Sequence, residues 1–227
     1  MVNGGVTGPV HKAYDAERDL AWSYAPERVR LGLDALWALD GTCAGILRST
    51  REPLIGQMRL RWWHDALIAL DSAPAPAEPV LTAIAADVLP SGVTGTALAE
   101  IASGWEMLLA DPLDEAALVA HAGARGGGLF DAASVVLGAR SPEVADAGKG
   151  WALVDVSRNL SDQMLGSRAR MLAGECLARA LARRWPRPLR ALGALALSAS
   201  MDLAEPPRPA GHPMRVARLL RFRLTGR

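Results

Sequence analysis

Asp155, Arg158, Asn159 and Asp162 fall at i, i+3, i+4 and i+7, the spacing that brings side chains onto one face of a helix. Two carboxylates, a guanidinium and an amide on one stripe can bind a polar ligand, and the same stripe can serve as a salt-bridged, solvated face. Asp40 is the other acid of interest. It lies on an apolar stripe of Val29, Leu33, Leu36, Trp37, Ala44 and Leu47. A carboxylate buried there needs a partner, because an isolated buried charge is expensive. Arg59 or Arg61 is the expected partner, unless Asp40 sits at a rim. His64 has no neighbour at metal-ligand spacing and is read as structural.

Other chemistries find no support. Gly148-Lys149 lacks the upstream glycine and the following Ser/Thr of a phosphate loop, and Gly126 to Gly128 have neither the spacing nor the strand context of a dinucleotide fingerprint. No His-Glu-x-x-His or Gly-x-Ser-x-Gly string occurs. The 25 basic and 24 acidic residues nearly cancel, which argues against nucleic-acid binding. Cys43 and Cys176 are far apart and lack ligand-spaced partners, so reduced thiols in a cytoplasmic core are expected, with neither disulfide nor zinc.

The elements that must position these residues are helical. Half of the chain is hydrophobic while aromatics make up 5%, so the core is built largely from Ala, Leu and Val, and Ala and Leu are also strong helix formers. The 227 residues are enough for one all-α domain spanning 1–227 that buries about 70% of its unfolded surface; residues 1–10 read as a flexible tail without the form of a secretory signal. Pro26 opens a helix that runs to Arg48. Ser49 or Thr50 caps the next, which lasts to Leu70; Pro79 opens another, and Thr94 or Thr96 caps a fourth. The helical pattern from Glu115 to Leu137 is interrupted by three glycines, which predict a kink, a break or a close approach. Ser141-Pro142-Glu143 starts a helix expected to reach Leu165, and later helices fall over Ser167–Arg184, Pro188–Leu203 and Pro213–Leu224.

The segment Arg51 to Leu67, REPLIGQMRLRWWHDAL, is distinctive. Trp62 and Trp63 point about 100° apart on a helix and must cover different surfaces. Arg59, Leu60, Trp62, Trp63 and Leu67 resemble the Arg-Leu-x-Trp-Trp-x-x-x-Leu segment of the squalene/phytoene synthase family. Ala35, Leu36, Trp37 and Ala38 resemble the start of that family's first core helix, and Gly148 to Leu172 its late helix. The resemblance implies an isoprenoid-synthase-like helical bundle, with Trp37, Arg59, Trp62 and Trp63 in its core and cavity.

Members of that family join prenyl diphosphates with Mg²⁺ held by clustered carboxylates, which must sit at i, i+3 or i+4 on facing helices. Aligned on Trp37-Ala38, the first paired aspartates fall on Ala44 and Gly45, with Arg48 following. In the second motif the principal aspartate falls on Asn159. The resemblance therefore implies a non-catalytic branch, the one that includes the mitochondrial respiratory complex I assembly factor. It predicts no metal or other cofactor, and as partner an unknown protein or an apolar, lipid-like ligand. The alternative is an active prenyltransferase using Mg²⁺, with Asp40 in one half of the site and Asp155 and Asp162 in the other.

The last segment interleaves Arg215, Arg218, Arg221, Arg223 and Arg227 with Val216, Leu219, Leu220 and Leu224. That is a basic amphipathic helix, suited equally to covering the bundle and to lying on an anionic membrane through Arg215, Arg218 and Arg221. A cytoplasmic protein, peripheral to the inner membrane face, is the corresponding expectation.

Overall fold

A computed structural model describes residues 9–227, with side chains from residue 16 onward. The helices are α1 (Pro9–Trp22), α2 (Arg30–Ser49), α3 (Pro53–Ala69), α4 (Pro79–Asp87), α5 (Gly95–Glu106), α6 (Glu115–His121), α7 (Gly128–Val136), α8 (Glu143–Ser157), α9 (Gln163–Leu181), α10 (Arg190–Asp202) and α11 (Pro213–Thr225). No strand occurs among the described residues. The tail expected over residues 1–10 lies outside the described residues as far as residue 8, while residues 9 and 10 already belong to α1.

Local chemistry accounts for most of the helix starts. Pro53, Pro79 and Pro213 each occupy a first turn, where a missing N–H costs nothing. Thr94 accepts from the Ala97 amide at 3.1 Å and Asp114 from the Ala117 amide at 2.8 Å, capping α5 and α6. Ser49 and Thr50 do not cap α3 as expected. Both hydroxyls turn back to the carbonyls that end α2, Ser49 to Gly45 and Thr50 to Ile46, and Glu52 takes the cap position without a side-chain bond.

Buried side chains from every helix, α1 to α11, join one hydrophobic core. Its axis is α10, in which every residue from Arg190 to Ala199 is buried, as befits a helix with neighbours all round. Those neighbours include α1, α8, α9 and α11. Small residues let the helices approach closely. A Cβ on Gly193 would meet the Trp185 and Phe222 rings at 2.6 Å, so only glycine lets both aromatics close on α10 there.

One expectation is narrowed and two need correction. The run Glu115–Leu137 does not break at its glycines: α6 passes into a π-helical turn, Ala122–Gly127, and straight on into α7. Of the expected consequences, the close approach is the one found, since a Cβ on Gly126 would collide with the Gly148 carbonyl and one on Gly148 with that of Gly126. Next, α8 ends at Ser157 rather than Leu165, because Asp162 is needed to cap α9, accepting from the Met164 and Leu165 amides at 2.8 and 3.1 Å. Finally, Trp63 is buried, but Trp62 is 50% exposed and Arg59 is exposed, so neither belongs to the core or a cavity.

Candidate functional site

Arg125, in the π-helical turn, is a buried polar group, 3% exposed. Its Nε and Nη2 donate to the two carboxylate oxygens of Asp40 at 2.8 and 2.9 Å, a bidentate pair. Its Nη1 donates to Asp155 at 2.7 Å. The guanidinium carbon lies 3.9 Å from the Trp105 ring centre and 4.7 Å from that of Trp151, so two indoles sandwich the charge. Trp105 Nε1 donates to Asp40 at 2.8 Å.

Four helical segments place these groups: α2 carries Asp40, α5 Trp105, the π turn Arg125, and α8 Trp151 and Asp155. A π turn inserts an extra residue and redirects the following side chains. Here it is accommodated because Ala122–Gly127 has no bulky side chain besides Arg125 itself. Gly104 matters for the same reason, since a Cβ there would lie 2.5 Å from the Arg125 amide nitrogen and push α5 off the turn.

Electrostatics follow from this packing. Burial opposes the Arg125 charge, but Asp40 and Asp155 outweigh it and hold the guanidinium pKa above its ordinary value. Packing around Asp155 disfavours its carboxylate, yet Arg125 prevails and its pKa is lowered, although 41% of the side chain is exposed. His121 lies beside the cluster, its Nδ1 2.8 Å from the Gly104 carbonyl and its Nε2 3.5 Å from Arg125 Nη1. Nδ1 therefore donates to the carbonyl and Nε2 faces the cation. Burial first, and Arg125 second, push the imidazole down to about 3, so it is neutral. The adjoining Cys43 thiol is pushed up to about 12 by burial and then by Asp40, and remains protonated.

A recess of about 50 Å³ adjoins Arg125, walled by Ala44, Leu47, Arg48, Trp105, Asp155 and Asn159 among others. Among the described residues, no group of three or more His, Cys, Asp or Glu side chains is arranged to hold a metal ion.

The expected site residues separate. Asp40 and Asp155 meet, but through Arg125 rather than Arg59 or Arg61. Arg59 instead donates to the Ser49 and Thr50 hydroxyls at 3.2 Å, and Arg61 pairs with Asp65. Arg158 leaves the cluster for Asp202 at 2.5 Å. Asn159 donates to the Asp155 carbonyl at 2.9 Å and lines the recess, whereas Asp162 caps α9 and takes no part. Trp37 is half-buried against Trp22, Phe130 and Trp151, outside the recess. His64 bonds Asp65 at 3.0 Å.

Arg125, Trp105 and His121 were not anticipated. One signal was present: Arg125 is the only charged side chain between His121 and Asp131, in a Gly/Ala stretch that otherwise reads as buried.

An all-helical bundle in which helices from both halves of the chain send acids toward a common centre is an isoprenoid-synthase-like fold. The chain belongs to the squalene/phytoene synthase family, whose model, described as squalene/phytoene synthase, matches residues 11–201. No curated protein and no solved structure matches the chain. No described helix is long and apolar enough to cross a membrane.

Proposed function

We propose that this chain is a non-catalytic member of the family, a helical protein that binds a partner or an apolar, lipid-like ligand instead of joining prenyl diphosphates. The observation that carries the reading is the Asp40–Arg125–Asp155 cluster. A magnesium cluster needs clustered carboxylates with free oxygens, whereas here one guanidinium bonds both oxygens of Asp40 and one of Asp155. Ala44, Arg48 and Asn159, which the family resemblance places at metal-ligand positions, all line the same recess. Its volume of about 50 Å³ is far below the ~300–1,000 Å³ usual for a ligand pocket.

Binding is supported instead by the outer face of α3, where Leu54, Ile55, Met58 and Trp62 are exposed beside Arg51, Arg59 and Arg61. Exposed aromatic and aliphatic side chains rimmed by arginine are what interface centres commonly present. Of the arginines expected at a membrane, Arg215 is withdrawn because it is buried, while Arg218 and Arg221 remain exposed beside Leu220 and Leu224. The likeness to the complex I assembly branch suggests the process, the building of a membrane-bound respiratory complex. The check is the amount of assembled complex I in cells lacking this chain, which is expected to fall.

Purified protein incubated with Mg²⁺ and labelled farnesyl or geranylgeranyl diphosphate is expected to release no inorganic diphosphate above the uncatalysed rate. Release abolished by Asp155→Ala would establish the alternative, a prenyltransferase using Asp155.

A further inference from the structure

A larger recess, about 280 Å³, opens where the turn after α1 meets the start of α10 and the end of α11, and it is lined by Tyr24, Arg187, Arg190, Arg223 and Leu224. Three guanidinium side chains line it and no carboxylate does. None of the three forms a salt bridge among the described residues.

The frame is built rather than incidental. Arg190 is 7% exposed, and its Nη1 donates to the Arg223 and Leu224 carbonyls at 2.6 and 3.2 Å, capping the end of α11. Its Nε points to the Trp185 carbonyl at 3.5 Å, and its Nη2 has no acceptor among the described residues. Gly226, at φ 73°, ends α11, and the Trp185 amide donates to its carbonyl at 2.9 Å, fixing the turn beside the recess. Arg223 lies over the Tyr24 ring at 5.3 Å. The Tyr24 hydroxyl is buried without a hydrogen-bond partner.

Like charges gathered without a counter-charge repel, and a buried hydroxyl without a partner is rare. One multivalent anion in the recess supplies the missing counter-charge. We propose that this recess binds a phosphate group, that of a soluble phosphate monoester or a phospholipid headgroup, with Arg187, Arg190 and Arg223 as its cationic walls. A carboxylate has two oxygens in a plane and suits a single arginine fork, whereas phosphate offers three oxygens and a second charge to several. The recess exceeds what phosphate alone fills, which leaves room for its substituent, and the exposed Leu224 and Leu220 at this end of α11 fit an acyl-bearing one. The inference is independent of whether the central site is catalytic.

The test is calorimetric titration with inorganic phosphate and with glycerol 3-phosphate, against chloride at equal ionic strength, using wild type, Arg187→Gln/Arg223→Gln and Tyr24→Phe. The two arginines are exposed, so their replacement leaves the fold intact, which circular dichroism verifies. Saturable binding is expected, weakened about tenfold or more in the arginine variant, as loss of charged donors implies, and unchanged in Tyr24→Phe, whose hydroxyl is buried away from the recess. Co-sedimentation with phosphatidylcholine vesicles, with and without phosphatidic acid, distinguishes the sources. Acid-dependent sedimentation lost in the arginine variant identifies a headgroup, and phosphate binding without sedimentation identifies a soluble ester. Phosphate binding no stronger than the chloride control, or unchanged in the arginine variant, overturns the proposal.

Discussion

Arg125 satisfies two acids and two indoles at once, so its removal is expected to cost more than its own contacts. Arg125→Met leaves Asp40 buried with only Trp105 as donor, and breaking such a pair costs about 3–5 kcal/mol. Replacing both partners with apolar residues is often close to neutral, so Asp40→Leu/Arg125→Met is expected to recover most of the loss. Urea unfolding of Arg125→Met, Asp40→Leu and the double variant, each against wild type, measures the cycle. Equal losses in the single and double variants would show that the pair itself, not the stranded charge, carries the stability.

His121 makes a pH prediction whose sign is fixed. In the unfolded chain the imidazole takes up a proton below its ordinary value of 6.5, whereas in the folded protein it stays neutral down to about 3. Between those values the unfolded state binds the extra proton, so stability is lost as the pH is lowered, by at most about 1.4 kcal/mol per unit. His121→Gln, which keeps a donor for the Gly104 carbonyl, is expected to flatten that fall in urea unfolding from pH 6.5 to about 4.5. At lower pH the carboxylates with lowered pKa, Glu17, Asp146 and Asp155, lose their stabilisation in turn. An unaltered profile in the variant would assign the acid sensitivity elsewhere.

The crossing of α8 over the π turn depends on glycine at one position of that turn and not at another. A Cβ on Gly126 would meet Gly148 backbone and lie 2.7 Å from the Ala152 Cβ, while one on Gly123 meets nothing within 4 Å. Gly126→Ala is therefore expected to destabilise by about 1–3 kcal/mol through overpacking. Gly123→Ala is expected to gain about 0.5–1 kcal/mol from reduced unfolded-state freedom. Opposite shifts of the urea midpoint are the readout, and a loss in both would mean that the π turn needs glycine throughout. Helix starts at Pro79, Thr94 and Pro213 were legible because caps and first-turn prolines act within a few residues. The end of α8 was not: the i, i+3, i+4, i+7 spacing of Asp155 to Asp162 describes a face only if the helix continues, and the cap that α9 requires ends it.

Across the molecule, α11 is held to α1 and α10 by Arg215, 1% exposed, which pairs with Glu17 and with Asp202, each at 2.6 Å, and bonds Ser198 at 3.0 Å. Burial favours a protonated Glu17, but its bonds to Arg215, Ser198 and Gly211 together keep its pKa low. Arg158 joins the same network at Asp202. Arg215→Met is expected to destabilise by about 3–5 kcal/mol by stranding Glu17, and to raise amide exchange in α11. Arg218→Gln, on the exposed side, is expected to stay within about 0.5 kcal/mol. Similar losses for both would mean that α11 is held by its apolar contacts alone.

The all-α class, most helix starts and the family likeness around Trp62-Trp63 follow from the chain itself, because periodicity, caps and prolines act over a turn or two of backbone. Which arginine meets Asp40 does not. Arg125 stands 85 positions away, and only the packing of α2, α5 and α8 around a π turn brings its guanidinium between the two acids. The same holds for Trp62 facing outward and for Arg215 facing inward. Helical spacing says which residues share a face, but the neighbours that bury it are chosen by the whole set of helices packing together.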